Sequence, residues 1–322
     1  MRSVFLVKPS SLGDIVHTLP SLRALRHSLP DSQFFWVVNS EWSSLLLGNP
    51  DLAEVIAFPR QSFRGLAGAS KFLRWCRQLG RYQPDLVLDF QGLLRSAWIA
   101  RSTRGRVLLG LSDAREGALF FYQQTARVSA HQHAVERYLA LASLAGASIP
   151  EKPHFELPAG RAIPNFELPD RFVVLHPFAR GANKSLSPSE IYELTRALAP
   201  LAVIVVGRTE TDFRFALNAA SLVNETDLLQ LIWLLRRASF VISVDSGPMH
   251  LAAAVSQQLL SIHFWSDPKQ VGPYRPDAWI WQNGLICRVQ DLSAGSTKTP
   301  SSARPHPIQI GAFVQERLLQ TR

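Results

Sequence analysis

Short β-branched runs alternate with helical stretches in two successive series, and five prolines, Pro150, Pro153, Pro158, Pro164 and Pro169, stand between the series. This rhythm is the strongest constraint on the fold, because it is the pattern of parallel sheets covered by helices. In the first series strands are expected at residues 4–8, 34–38, 55–58 and 86–89. Helices are expected at 15–27, where Pro20 should introduce a kink, and at 64–82. The second series predicts strands at 172–176, 202–206, 240–244 and 259–264, with helices at 188–198, 212–222, 228–238 and 249–255. The proline cluster reads as a linker. A Ser/Thr/Pro-rich stretch at 293–307 reads as a second linker, leading to a terminal helix at 308–319. The expectation is an α/β protein with two Rossmann-like domains, 1–160 and 161–300, and a linker and helix at 301–322. A ligand is expected in a crevice between them, at the carboxyl ends of the strands.

Composition narrows the function classes. A length of 322 residues suits two domains. Two cysteines, Cys76 and Cys287, make neither a disulfide framework nor a cysteine metal site, which fits a reducing compartment. No apolar run is long enough to span a bilayer, and the first residues lack the features of a signal peptide, so a cytoplasmic protein is expected. Between Arg60 and Arg106 ten basic residues face only Asp85 and Asp89, which places eight of the chain's nine net positive charges there. Such a concentration suits an anionic partner, whether nucleic acid, an acidic membrane surface or a phosphorylated or carboxylated substrate; the alternative is a solvated basic face. Within 64–82, Leu66, Ala69, Leu73 and Cys76 share one helical face.

The phosphate-binding fingerprints G-x-G-x-x-G and G-x-x-x-x-G-K-[ST] are absent, as is the G-x-S-x-G of serine hydrolases. Three loops can carry chemistry. Lys8-Pro-Ser10-Ser11-Leu-Gly-Asp14 joins the first strand to the first helix, where Asp14 is either a helix cap or a general base near Lys8 and His17. Asp245-Ser246-Gly247-Pro-Met-His250 opens an alanine-rich helix whose amino end suits a diphosphate, although plain capping needs no ligand. His176 to Lys184 holds Arg180 and Lys184 in a glycine-containing loop, where cations can meet phosphate oxygens. Glu210, after the next strand, is either a ribose contact or a solvated acid. No D-x-D pair, histidine cluster or cysteine cluster has metal-ligand spacing, so neither a metal nor a cofactor is expected.

These segments resemble the signatures of the heptosyltransferases of glycosyltransferase family 9. Lys8 to Pro20 and Val244 to Ala254 are similar to its paired motifs, and Asp89 to Ala97, Ala114-Arg115-Glu116 and His133 to Arg137 resemble the heptosyltransferase I branch. The resemblance implies a GT-B fold, with an acceptor-binding first half and a donor-binding second half. It implies inverting, metal-independent transfer of L-glycero-D-manno-heptose from ADP-heptose to a Kdo residue of lipid A. Asp14 matches the base and Lys184 the cation that neutralises departing ADP. Arg180, Glu210, Thr226, Asp245, Ser246, Gly247 and His250 fall to the donor; Lys8, Ser10, Ser11, Arg60, Arg64, Gln91, Arg95, Arg115 and Arg137 fall to the acceptor. An anionic glycolipid explains the basic first half. The 64–82 helix, with Phe72 and Trp75, is then expected to rest peripherally on an anionic inner membrane. This sequence departs from the family at Ser185-Leu-Ser-Pro188, around Gly181 to Asn183 and at Trp265-Ser-Asp-Pro268, which leaves another sugar donor or a protein acceptor as the alternative. The chain has no recognised nucleic-acid module, so a nucleic-acid partner is not expected.

Overall fold

A computed structural model describes residues 2–181, 184–264, 266–292 and 303–320. Two compact units form, Met1–Pro158 and Ala159–Arg322. In the first, β1 (Ser3–Val7), β2 (Gln33–Asn39), β3 (Glu54–Phe58), β4 (Leu86–Asp89), β5 (Val107–Leu111) and β6 (Gln124–Ala126) alternate with α1 (Leu12–Ser28), α2 (Leu66–Leu79), α3 (Leu94–Ser102) and α4 (Ala134–Leu144). All strands are parallel, in the order β3-β2-β1-β4-β5-β6. Every loop that follows a strand therefore leaves from one edge, and the order reverses between β1 and β4. Such a reversal is where open α/β sheets hold ligands.

Helix α1 runs unbroken through Pro20, which forgoes only the hydrogen bond its missing N–H would have made. It is buried on nearly every side and packs along α4. On α2 the expected face is corrected. Of the residues expected to share a face, Cys76 is buried but Ala69 and Leu73 are exposed; Gly68, Phe72, Trp75 and Leu79 turn inward with Cys76. Phe72 and Trp75 meet Phe58 and Phe63 in edge-on and tilted ring contacts, and a Cβ at Gly68 would lie 2.3 Å from the Phe63 backbone. These two half-buried aromatics hold α2 to its own unit.

In the second unit, β7 (Phe172–His176), β8 (Ala202–Val205), β9 (Ala219–Ser221), β10 (Phe240–Val244), β11 (Leu259–Ile262), β12 (Trp279–Gln282) and β13 (Leu285–Arg288) form a sheet in the order β13-β12-β11-β10-β7-β8-β9. Only the β12–β13 pair is antiparallel. The helices are α5 (Pro188–Ala197), α6 (Leu228–Arg237), α7 (Gly247–Val255), α8 (Pro268–Val271) and α9 (Pro307–Leu319). The order reverses between β7 and β10. The helix expected at 212–222 does not form: β9 adds to the sheet instead. Asn218 donates to the carbonyls of Thr195 and Leu201, and this pins the segment against the end of α5. Ile310, Val314 and Leu318 of α9 join this unit's core, and glycine at 311 lets α9 approach Ala197, which a Cβ there would meet at 2.7 Å. Most of the expected 293–307 linker, residues 293–302, lies outside the described residues.

Candidate active site

The β1–α1 loop delivers Asp14 to the first turn of α1. Its Oδ2 accepts from the Ser11 amide at 3.0 Å and the Ser11 hydroxyl at 2.6 Å. Its Oδ1 accepts from the Tyr138 hydroxyl at 2.8 Å and lies 3.6 Å from Lys8 Nζ. Lys8 also donates to Tyr138 Oη at 2.8 Å and to the Phe90 carbonyl at 3.1 Å, and its ammonium sits 4.7 Å from the Tyr138 ring centroid. Burial pushes the carboxyl of Asp14 upward, but Lys8, the Ser11 bonds and His17 outweigh it and hold the group well below the usual carboxylate range. Burial pushes Lys8 down, against the pull of Asp14 and Asp89. The Asp14 side chain nevertheless stays 35% exposed. One oxygen thus completes the cap with Ser11 while the carboxylate keeps an exposed face, so the cap reading does not exclude the base reading.

Lys8, expected among the acceptor contacts, is corrected: it is 2% exposed, and its ammonium is spent on Phe90, Tyr138 and Asp14. Tyr138 is the residue that sequence reasoning missed. It follows Arg137 directly, so the quoted 133–137 segment ends one residue short of it.

A second buried carboxylate braces the same edge. Asp89, at the end of β4, accepts from the amides of Gln91 and Gly92 at 2.9 and 3.2 Å, from Ser96 Oγ at 2.8 Å and from Tyr122 Oη at 2.7 Å. Burial raises its pKa, and those four donors oppose the rise. The loop it shapes places Gln91 Oε1 3.2 Å from the Ser10 amide, so the β4 loop holds the β1 loop that carries Asp14. The Arg115 amide donates to the Gly92 carbonyl at 2.8 Å, which ties in the loop after β5.

Because the sheet is parallel, the remaining residues expected to meet the acceptor lie on loops that leave this same edge. Arg95 opens α3, Arg115 follows β5, and Arg60 and Arg64 follow β3, two strands from β1; all four are exposed. Arg137 is half-buried in the first turn of α4 and ion-paired with Asp113.

In the second unit the expected donor residues follow the same logic. Arg180 and Lys184 follow β7, Glu210 follows β8, Thr226 follows β9, and the Asp245 turn follows β10. Arg180 and Glu210 are exposed; Lys184, Thr226, Ser246 and Gly247 are half-buried. Asp245 and His250, expected to touch the donor, are only 5% and 8% exposed. Burial raises the Asp245 carboxyl to about 6, against Ser266 and the charge of Lys184. Asp245 Oδ2 stands 4.0 Å from His263 Nδ1. Asp245 thus shapes the turn from behind, and the amino end of α7, with Ser246 and Gly247, is the part that faces outward. His176 bonds Ser246 Oγ at 3.3 Å through Nδ1, and burial lowers its pKa to about 4, so it is neutral. Glycine is required at 207, where φ is +129° and a Cβ would lie 2.7 Å from the Phe178 ring. Residues 182–183 and Trp265, two of the sequence departures, lie outside the described residues. Among the described residues no group of three or more His, Cys, Asp or Glu side chains is arranged to hold a metal.

Two α/β units on largely parallel sheets, one presenting an ionised carboxylate at its switch point and the other carrying Arg180, Lys184 and the amino end of α7 on loops that follow its strands, fit the class of GT-B glycosyltransferases. The family model for glycosyltransferase family 9 (heptosyltransferase) matches residues 72–296, and the chain belongs to that family. It is similar to lipopolysaccharide heptosyltransferase 1 of Escherichia coli O18:K1:H7 (strain RS218 / NMEC), at 28% identity over 92% of this chain and 95% of that protein. With lipopolysaccharide heptosyltransferase 1 of Pseudomonas aeruginosa PAO1 the identity is 38%, over 42% of this chain and only 40% of that protein. Among solved structures it resembles E. coli heptosyltransferase WaaC with ADP-2-deoxy-2-fluoro heptose, with a TM-score of 0.78 at 23% identity over 98% of this chain and 99% of that one.

Proposed function

We propose that this glycosyltransferase moves L-glycero-D-manno-heptose from ADP-heptose to a Kdo residue of lipid A in lipopolysaccharide inner-core assembly. The observation that carries the reading is Asp14: a carboxylate held ionised by Lys8 and Ser11, yet open to solvent, at the switch point of a basic sheet edge. The family and the names of the relatives support the sugar and the process. The exposed arginines at 60, 64, 95 and 115 support an acceptor bearing carboxylates and phosphates.

Asp14 takes the proton of the attacking Kdo hydroxyl while its oxygen bonds to the anomeric carbon. The bond from that carbon to the diphosphate oxygen breaks, ADP departs with the electron pair, and the anomeric configuration inverts. A carboxyl of low pKa is a weak base, so the proton moves late, once the forming C–O bond has acidified the hydroxyl. Arg180, Lys184 and the amino end of α7 stabilise the charge gathering on the diphosphate, which is how the reaction proceeds without a metal ion. The enzyme works on the cytoplasmic face of the inner membrane, where it is peripherally bound.

The test is mass spectrometry of Kdo₂-lipid A after incubation with the protein and ADP-heptose, with Asp14→Ala in parallel. One heptose added by the wild type, and about 10²–10⁴-fold less by the variant, is expected. Full activity in Asp14→Ala removes the base; product only with another nucleotide sugar changes the donor.

A further inference from the structure

Four large apolar side chains lie exposed on two adjoining elements of the first unit. Leu94 and Trp98, one turn apart on α3, are each 46% exposed, and Leu119 and Phe120, in the short 3-10 helix Ala118–Phe121, are 43% and 93% exposed. The two elements pack together, with Ala118 fully buried beneath, and the Leu94 amide donates to Glu116 at 3.3 Å. Water-facing aromatics grouped in this way have no role in the core and mark a contact surface. Next to them in the chain are exposed Arg95, Arg101 and Arg115, with the acids Glu116 and Asp113, the latter paired with Arg137.

We infer that this patch is the face by which the enzyme docks on an anionic lipid bilayer. Trp and Phe settle at the headgroup boundary while arginines above them pair with acidic headgroups. The patch adjoins the acceptor edge: Leu94 lies two residues beyond Gly92, whose loop carries Gln91 against Ser10 and so braces the turn before Asp14. Docking there brings a lipid-anchored hydroxyl to the base without lifting the lipid from the membrane; this part rests on the acceptor proposed above. A second copy of the chain is a poorer occupant, because a two-fold interface at this patch would set its arginines against one another.

The test uses the full chain and flotation with vesicles of phosphatidylcholine, with and without phosphatidylglycerol. The wild type is expected to float with the anionic vesicles and to release as salt is raised. Trp98→Ser combined with Phe120→Ser should weaken partitioning about tenfold or more. Transfer to a deacylated, water-soluble acceptor should be unchanged. Phe120→Ala alone, at a side chain almost wholly in solvent, guards against a folding defect and should give a smaller loss in the same direction. Unaltered flotation in the double variant, or no flotation of the wild type, overturns the inference. So does a wild-type dimer that the double variant dissolves, which would assign the patch to self-association. Flotation as expected without any heptose transfer would sink the acceptor assignment and leave the docking face standing.

Discussion

Lys8→Met separates two roles for the buried lysine. Methionine keeps the length and apolar stem of the side chain but removes the charge 3.6 Å from Asp14 Oδ1. At that distance, two unit charges in an effective dielectric of about 20 attract by roughly 4–5 kcal/mol. Asp14 is about a third exposed, and screening by solvent cuts this by about half, to about 2 kcal/mol. A loss of that size moves the pH at which Asp14 gains its proton upward by about 1.5 pH units, while the Ser11 bonds and His17 still oppose burial. The acid limb that Asp14 imposes on kcat/KM should therefore move upward by about 1.5 pH units in the variant. At pH 8 the rate should be nearly kept, since the less acidic carboxyl is the better base. Stability follows the same shift. In the wild type the lowered pKa of Asp14 gives stability that is present above the unfolded value of 3.8 and is lost as pH falls through the folded one. In the variant the pKa is less depressed, so less of that stability remains, and the deficit in Tm against the wild type should be full at pH 7 and shrink only as pH falls below 3.8. A loss of activity uniform across pH, with the acid limb unmoved, would refute this reasoning and return Lys8 to the acceptor.

Tyr138→Phe keeps the ring but deletes the hydroxyl that joins Lys8 to Asp14; two hydrogen bonds to charged groups go with it. Urea unfolding should show a loss of about 2–3 kcal/mol, and kcat should fall while KM for the donor holds. Asp89→Asn turns an amide donor towards a site where four donors already converge, so a loss of about 2–4 kcal/mol is expected, with activity reduced through the Gln91–Ser10 contact. In the second unit, burial lowers His176 from 6.5 to about 4, so it contributes stability that is lost as pH falls below 6.5, amounting to about 3 kcal/mol. Asp245, raised from 3.8 to about 6, contributes the opposite slope, its stability present below 3.8 and lost as pH rises through 6. Thermal melts between pH 7 and 4 should be flatter in His176→Gln and steeper in Asp245→Asn than in the wild type.

What could be read from the sequence was whatever the chain decides within a few residues. The strand runs at 34–38, 86–89, 172–176 and 240–244 fall within or coincide with β2, β4, β7 and β10, and the Ser11–Asp14 capping contact is local to one turn. Spacing alone could not choose the inner face of α2. Residues 66, 69, 73 and 76 satisfy the helical period, and so do 68, 72, 75 and 79. The choice falls to Phe58 and Phe63, which lie outside the helix and offer aromatic partners to the second set only. Residues 212–222 failed for a similar reason, since the segment is fixed by carbonyls at 195 and 201 and by the free edge of β8. The same division runs through the site. Asp14 is visible because its loop is a motif. Its ionisation depends on Lys8 and its orientation on Tyr138, a residue 124 positions away, and only the pairing of β1 with β4 and the packing of α1 on α4 bring these groups together. The basic run between 60 and 106 was likewise legible as charge but not as geometry. Folding sorts it into exposed arginines on the segments that follow β3 and β4, two of them beside an aromatic patch, and an ion pair of Arg106 with Asp85.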